Sequence, residues 1–387
     1  MKWASAISTQ PEATPAVAEA AAAIKSELDG QAADLVIVFA SPHYRDSLVR
    51  LPSLVREKFP GARLIGCTGG GIIGAGREIE HRPALSLTAA ALPGAQLHPF
   101  HFDLDELPPN PSAWHRLIDP RREPAFLLLP EPFSCDIEQL IGGLDAAYPG
   151  AAKVGGVASG GRGAGSNALF LDSEMIRDGV VGLALTGDVV IDTLVAQGCR
   201  PIGTPLIITR CEDNVLLELG GQPALTVLRG LFDTLDARDR ELFRSSLFLG
   251  IQMKDDIIEY RHGDFLIRNL MGINPDRNAV VVGAMVQPYQ AVQFHLRDAD
   301  ASAEDLRQHL LTYCRSGRKP AGALLFSCLG RGEHLYGQPD HDSNLVLSYL
   351  GKLPLGGFFC NGEIGPVGET TFHHGYTSSF ALLRPRE

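Results

Sequence analysis

Residues 125–161 read AFLLLPEPFSCDIEQLIGGLDAAYPGAAKVGGVASGG. Ala125 to Leu129 is a short, continuously apolar run, the pattern of a strand buried on both faces. Asp136 to Tyr148 has the length of a helix and stops at Pro149-Gly150. Lys153-Val154 then leads into Gly155-Gly156-Val157-Ala158-Ser159-Gly160-Gly161. A strand, a helix and a strand at this length make one crossover unit, with the helix on one face of the sheet. The glycines fall where the second strand leaves the sheet, and open α/β sheets bind ligands at such carboxyl ends.

The same order occurs twice more. Leu35 to Ala40 reads as a strand and Arg45 to Lys58 as a helix stopped by Pro60-Gly61. Arg63-Leu64-Ile65 then enters Gly66-Cys67-Thr68-Gly69-Gly70-Gly71. Ala323 to Phe326 and Asn344 to Leu350 repeat the pattern, and Gly356-Gly357-Phe358-Phe359 enters Cys360-Asn361-Gly362-Glu363. From strand start to first glycine the spans are 31, 30 and 33 residues (Leu35 to Gly66, Ala125 to Gly155, Ala323 to Gly356). A further strand closes each unit: Ala84 to Ala90, Gly179 to Thr186 and Tyr376 to Leu383. Ahead of the first unit, Lys2 to Ile7 reads as a strand and Pro15 to Leu28 as a helix capped by Thr14. Between the second and third units, Asp188 to Ala196, Pro205 to Thr209 and Asn214 to Gly220 read as strands. Pro223 to Leu235 reads as a helix whose Leu225, Leu228, Phe232 and Leu235 form an apolar face. The expectation is an α/β protein of two domains, built from repeated strand–helix–strand units with mixed β-sheets flanked by helices. The domains run over 31–221 and 222–370.

Composition narrows the function. Acidic residues outnumber basic ones, 45 to 34, for a net charge of −11. Arg121-Arg122 and Arg318-Lys319 are too short to make a basic patch, so nucleic acid is not the expected partner. Glycine, at 42 residues, is about 11% of the chain against a usual ~7%. The seven cysteines contain no CxxC pair, which suits reduced thiols in a cytosolic protein. The N-terminus lacks the apolar core of a secretory signal, and no apolar run reaches the ~20 residues of a membrane span. The expected location is the cytoplasm, away from membranes.

Three motifs carry candidate chemistry. Gly69-Gly70-Gly71-Ile72-Ile73-Gly74 satisfies G-x-G-x-x-G, but a dinucleotide site also needs a helix directly afterwards. The polar Arg77 to Arg82 and Pro83 do not begin one. Cys328, followed by Gly330, Arg331 and Gly332, is a candidate reactive thiol with His334, His373 or His374 as base; a small buried residue is the simpler account. Glu363 lies between Gly362 and Gly365. Its loop and the Arg331 loop follow the two strands of one crossover and open at one sheet edge. An Arg and a Glu facing one cavity suit a zwitterion, the Arg gripping a carboxylate and the Glu an ammonium; a plain salt bridge is the structural alternative.

The ordered set of motifs resembles the FIST family, a paired N- and C-terminal module of bacterial signal-transduction proteins and of an F-box protein. The residues that carry it are Ile65 to Gly70, Gly155 to Ser159, Gly179 to Leu185, Gln197 to Gly203, Phe265 to Leu270, Val292 to His295, Cys328 to Gly332, Gly356 to Phe359 and Gly362 to Gly365. The resemblance implies a sensory module for a small ligand, for which amino acids have been suggested; haem binding and nitric oxide sensing are the family's other association. Without a kinase, cyclase or methyl-accepting segment in this chain, output is expected through a separate signalling protein such as a kinase or cyclase. The expected ligand-binding residues are Cys67, Thr68, Gly69, Gly156, Ser159, Cys328, Arg331, Asn361 and Glu363, with no catalytic residue and no metal ligand assigned. Binding without turnover is favoured over catalysis. The alternatives are a haem-based sensor with His295, His373 or His374 as axial ligand and a thiol-dependent enzyme using Cys328.

Overall fold

The computed structural model describes residues 1–254 and 259–386. The chain forms two compact units. The first takes in residues 1–195, 306–373 and the stretch from 377 onward; the second takes in 196–305 with 374–376. The second unit is therefore an insertion between the second and third repeats, while all three repeats lie in the first unit.

The first repeat supplies β1 (Lys2–Ser8), β2 (Leu35–Ala40), β3 (Arg63–Thr68), β4 (Gly71–Gly74), β5 (Arg77–Glu80) and β6 (Leu85–Ala91). The second supplies β7 (Ala95–Phe102), β8 (Ala125–Pro130), β9 (Lys153–Gly156), β10 (Leu169–Leu171), β11 (Glu174–Ile176) and β12 (Val180–Gly187). Next come β13 (Val190–Gln197) and the strands of the second unit: β14 (Cys199–Glu212), β15 (Val215–Leu219), β16 (Gln222–Pro223), β17 (Leu247–Gln252), β18 (Phe265–Asn274), β19 (Ala279–Val282) and β20 (Ala291–Arg297). The third repeat ends the chain with β21 (Gly322–Cys328), β22 (Leu355–Cys360), β23 (Glu363–Val367), β24 (Thr370–His374) and β25 (Thr377–Arg384).

Three six-stranded sheets share one plan: β1-β6-β2-β3-β10-β11, β7-β12-β8-β9-β23-β24 and β13-β25-β21-β22-β4-β5. At the centre of each is the parallel pair of a crossover, β2 with β3, β8 with β9 and β21 with β22. The expected closing strands, β6, β12 and β25, lie antiparallel on the first strand of each pair. The final two strands of every sheet come from a different repeat. Hairpin β4–β5 leaves the first repeat for the third sheet, β10–β11 leaves the second repeat for the first sheet, and β23 leaves the third repeat for the second sheet. This cyclic exchange covers the edges of β3, β9 and β22, which would otherwise present unpaired backbone groups. Each glycine cluster is the crossing point from one sheet to the next.

Within the second strand of each pair, one glycine stands opposite the first strand at the equivalent place: Gly66 opposite Val38, Gly155 opposite Leu128, Gly357 opposite Leu325. A Cβ there would lie 1.9 Å from the carbonyl oxygen of that partner in all three cases. The inner faces of the sheets meet in one apolar core that includes Ile37 and Phe39, Leu127 and Val154, and Phe326 and Phe358. Phe358 packs on Phe39 and Phe326 with ring centroids 4.8 and 5.8 Å apart. The crossover helix Ile137–Ala147 lies within the expected segment, and His341–Leu350 begins three residues ahead of the expected Asn344; in the first crossover only Leu51–Lys58 is α-helical, preceded by a 3-10 stretch from Pro42. The N-terminal helix begins at Ala13, so Thr14 lies inside the first turn and Glu12 at the cap position makes no side-chain bond.

The second unit is a sheet ordered β14-β20-β17-β18-β19-β15-β16 in which β14 also pairs β15, so it closes on itself. Ile202, Leu249, Val280, Val292 and Phe294 fill its core, with Leu225 and Leu228 from the helix Ala224–Thr234. Phe232 and Leu235 of that helical segment are only half-buried. The gap expected before Pro205 is a bulge inside β14: pairing with β20 shifts register between Ile202 and Leu206, and Gly203 takes a φ of 62°. Among the described residues, no helix is long and apolar enough to cross a membrane.

Candidate functional site

The carboxyl ends of β3, β9 and β22 meet, as the glycine clusters suggest, but their amides largely serve one another. Gly70 donates its N–H to Ser159 Oγ at 2.9 Å, and that hydroxyl donates to the Phe359 carbonyl. Ser159 N–H donates to Thr68 O at 3.1 Å, Val157 N–H to Gly362 O at 2.9 Å and Asn361 N–H to Val157 O at 3.0 Å. Thr68 is buried and bonded to Ala168. Cys67 belongs to the apolar core, and burial pushes its thiol up well above the usual range. A Cβ on Gly69 would meet Phe358, and one on Gly156 would meet Cys360. The nearest role of these glycines is close packing of the three turns. The run Gly71 to Gly74 is strand β4, followed by strand β5 rather than a helix, so the G-x-G-x-x-G geometry is absent there.

The chemistry concentrates where β21 and β22 end. Arg331 is fully buried, which an unpaired guanidinium does not tolerate. Its Nε and Nη2 donate to Asp342 at 2.9 and 3.2 Å. Asp342, also buried, opens the helix His341–Leu350 and accepts from Ser378 Oγ at 2.8 Å and from His341 Nδ1 at 2.9 Å. Burial works against both charges, and each partner overrides it: the Asp342 carboxyl is held far below the usual range and the Arg331 guanidinium above its own. Arg331 Nη1, on the edge turned away from Asp342, has no acceptor among the described residues. The salt-bridge alternative is realised, with Asp342 rather than Glu363 as partner.

Glu363 is fully buried too, although its loop follows the end of a strand. Its Oε2 accepts from the N–H and hydroxyl of Thr377 at 3.0 and 2.7 Å, and its Oε1 from Cys360 Sγ at 3.4 Å. Burial pushes its pKa up to about 7, against the pull of the Thr377 bonds and of Arg331. A third carboxyl, Glu78 of β5, accepts from Ser343 N–H at 2.7 Å. Burial and then the Asp342 charge push it up to about 8. Asp342, Glu78 and Thr377 are absent from the expected set. Only Asp342 left a trace in the sequence, an acidic residue in the first turn of a helix; Glu78 reaches the cluster through the exchanged hairpin and Thr377 through a closing strand.

These shifts fix a pH dependence. A carboxyl whose folded pKa lies above its unfolded value of 4.5 favours the fold fully below pH 4.5 and loses that contribution as pH rises through 7 to 8. Stability should therefore fall between pH 5 and pH 8, by up to about 1.4 kcal/mol per pH unit for each group. Glu78→Gln should flatten this slope in urea denaturation, gaining on the wild type as pH rises; parallel curves would show that Glu78 is ionised and solvated.

Of the other expected residues, Cys328 is half-buried beside the cluster and Asn361 is exposed. Among the histidines considered for haem, His295 is buried in the second unit, its Nδ1 3.0 Å from Gln293 O. His373 is half-buried, with its Nδ1 3.8 Å from Glu138 Oε1. A cleft of about 540 Å3, lined in part by Ala125, Tyr148, Ala152 and Ile191, lies at the amino ends of β8 and β9, the opposite end of the strands from this cluster.

The exchanged α/β sheets place a buried ionic cluster at their strand ends, the end at which open α/β sheets bind ligands. The chain belongs to the FIST family: the FIST N domain matches residues 34–222 and the FIST C domain residues 224–366. Domains of this family are sensory domains thought to bind small ligands in signal transduction. The chain is 38% identical over 381 residues to an uncharacterized protein of Mycobacterium tuberculosis, covering 97% of this chain and 98% of that one. It is 36% identical over 380 residues to one of Mycobacterium bovis, with 97% of each covered. It also resembles an F-box/LRR-repeat protein of Arabidopsis thaliana, 29% identical over 127 residues, 32% of this chain and 23% of that protein.

Proposed function

We propose that this protein is a cytoplasmic sensor that binds a small polar metabolite, an amino acid in the first instance, without turning it over, and signals through a separate protein such as a kinase or cyclase. The observation that supports the reading is the Arg331 guanidinium, buried with Nη1 unmatched, in electrostatic reach of the Glu363 carboxyl. A buried donor without an acceptor is costly, and a ligand oxygen would relieve it. Glu363, poised near neutrality, would take the ammonium group. The Leu329 and Asn361 side chains, both exposed, mark where the two loops reach solvent and where a ligand would enter. Ordering of these loops on binding would change the surface that a partner reads.

The test is a thermal-shift screen of the common amino acids against the full chain. At least one should raise Tm, since a ligand at 100 Kd stabilises by about 2.7 kcal/mol, and Glu363→Gln should weaken that ligand at least tenfold. No shift with any amino acid overturns the reading. A shift unchanged in Glu363→Gln moves the ligand to another place, of which the cleft beside Ala152 is the first to examine.

A further inference from the structure

We propose that Cys328 and Cys360 form a reversible disulfide, an oxidant-sensitive modification site that alters the Arg331–Glu363 cluster. The two residues stand directly opposite each other in the parallel pairing of β21 and β22, each the last residue of its strand. Side chains two apart on a strand share a face. The preceding opposed pair on that face, Phe326 and Phe358, is in ring contact, so the thiols occupy the next rung. Neighbouring strands run ~4.8 Å apart, inside the ~4.4–6.8 Å that separates the Cα atoms of a disulfide. Both chains leave the sheet immediately afterwards, so the strand ends can adjust to the bond.

The two thiols differ in the way a two-step oxidation needs. Cys328 is half-buried, accepts the Gly330 N–H on Sγ at 3.4 Å and lies in reach of the Arg331 charge. Cys360 is fully buried, and its S–H is shared between Ser327 O at 3.2 Å and Glu363 Oε1 at 3.4 Å. Cys328 gives its proton to solvent and the thiolate attacks one oxygen of a hydroperoxide; the S–O bond forms, the O–O bond breaks, and the leaving hydroxide or alkoxide takes a proton back from solvent as water or an alcohol, leaving a sulfenic acid. The Cys360 sulfur then attacks the Cys328 sulfur, its proton passing to the Glu363 carboxylate. The S–O bond breaks and the leaving hydroxide takes up that proton as water. One peroxide and two thiols thus give one disulfide, and an external thiol reverses the change by exchange. Oxidation removes the S–H that Ser327 O and Glu363 share and ties the Leu329–Arg331 loop to the Asn361–Glu363 loop, whatever ligand the cluster binds.

The experiment treats the reduced full-length protein with hydrogen peroxide, blocks remaining thiols with iodoacetamide and maps the peptides by mass spectrometry. The expected product is a Cys328 peptide joined to a Cys360 peptide, lighter by two hydrogens than the reduced pair and released by dithiothreitol. Glu363→Gln should slow the joining several-fold and let sulfenic acid accumulate at Cys328, where dimedone traps it. Cys360→Ser should stop at that sulfenic acid. Alkylation of both thiols after treatment, joining to another cysteine such as the exposed Cys314, or a wild-type Cys328 that oxidises without ever joining Cys360 overturns the proposal.

Discussion

Asp342→Ala should cost about 3–5 kcal/mol, enough to leave much of the protein unfolded at ordinary growth temperatures. The reason lies in what remains behind. Arg331 has no exposure to solvent and spends two of its donor nitrogens on Asp342; without that carboxylate a full positive charge stays buried with its donors unmatched. Ser378 Oγ and His341 Nδ1 lose the same acceptor. The double variant Arg331→Met with Asp342→Leu should recover most of the loss, because two packed apolar side chains can replace a buried ion pair. Urea denaturation of the three proteins decides the matter. A loss below about 1 kcal/mol in the single variant would match the value of an exposed pair and would mean that the cluster is open to water.

A second large effect is expected where no charge is involved. Gly66→Ala, Gly155→Ala and Gly357→Ala should each destabilise the fold by more than ~3 kcal/mol, beyond the usual range for added core volume. Each new methyl would sit 1.9 Å from a carbonyl oxygen of the neighbouring parallel strand, and that oxygen cannot retreat without parting the two strands. Gly357 should be the worst, since its φ of 148° is also unfavourable for alanine. Gly150→Ala supplies the contrast: nothing lies within 4 Å of its Cβ position, so its cost should be confined to a positive φ of 73°. Soluble yield and Tm measured side by side test the ranking, and tolerance of Gly155→Ala would deny that the parallel strand pairs close through these contacts.

The three glycine clusters thus carry a meaning that their sequence leaves open. Chain spacing was enough to place three parallel strand pairs and their closing strands, because a continuous apolar run, a helix-length segment and a glycine stop are local signals. It was also enough to pick out Arg331 and Glu363, whose loops had to share an edge once β21 and β22 were parallel neighbours. It could not show that the amides of these turns are used among themselves, since Gly70 meets Ser159 and Val157 meets Gly362 across separations of tens to hundreds of residues. A glycine that lets a ligand approach and one that lets a strand approach read alike.

By itself, then, the amino-acid order determined the repeat, the class of fold and the neighbourhood of the cluster, for these depend on hydrophobic periodicity and on contacts near in the chain. Only the tertiary structure decided which partners the buried groups take. Glu78 enters on a hairpin exchanged from the first repeat, Asp342 on the third crossover helix and Thr377 on a closing strand. The charge state of a carboxyl depends on the depth of its burial and the sign of its neighbours, and both come from segments that meet only when the three sheets close.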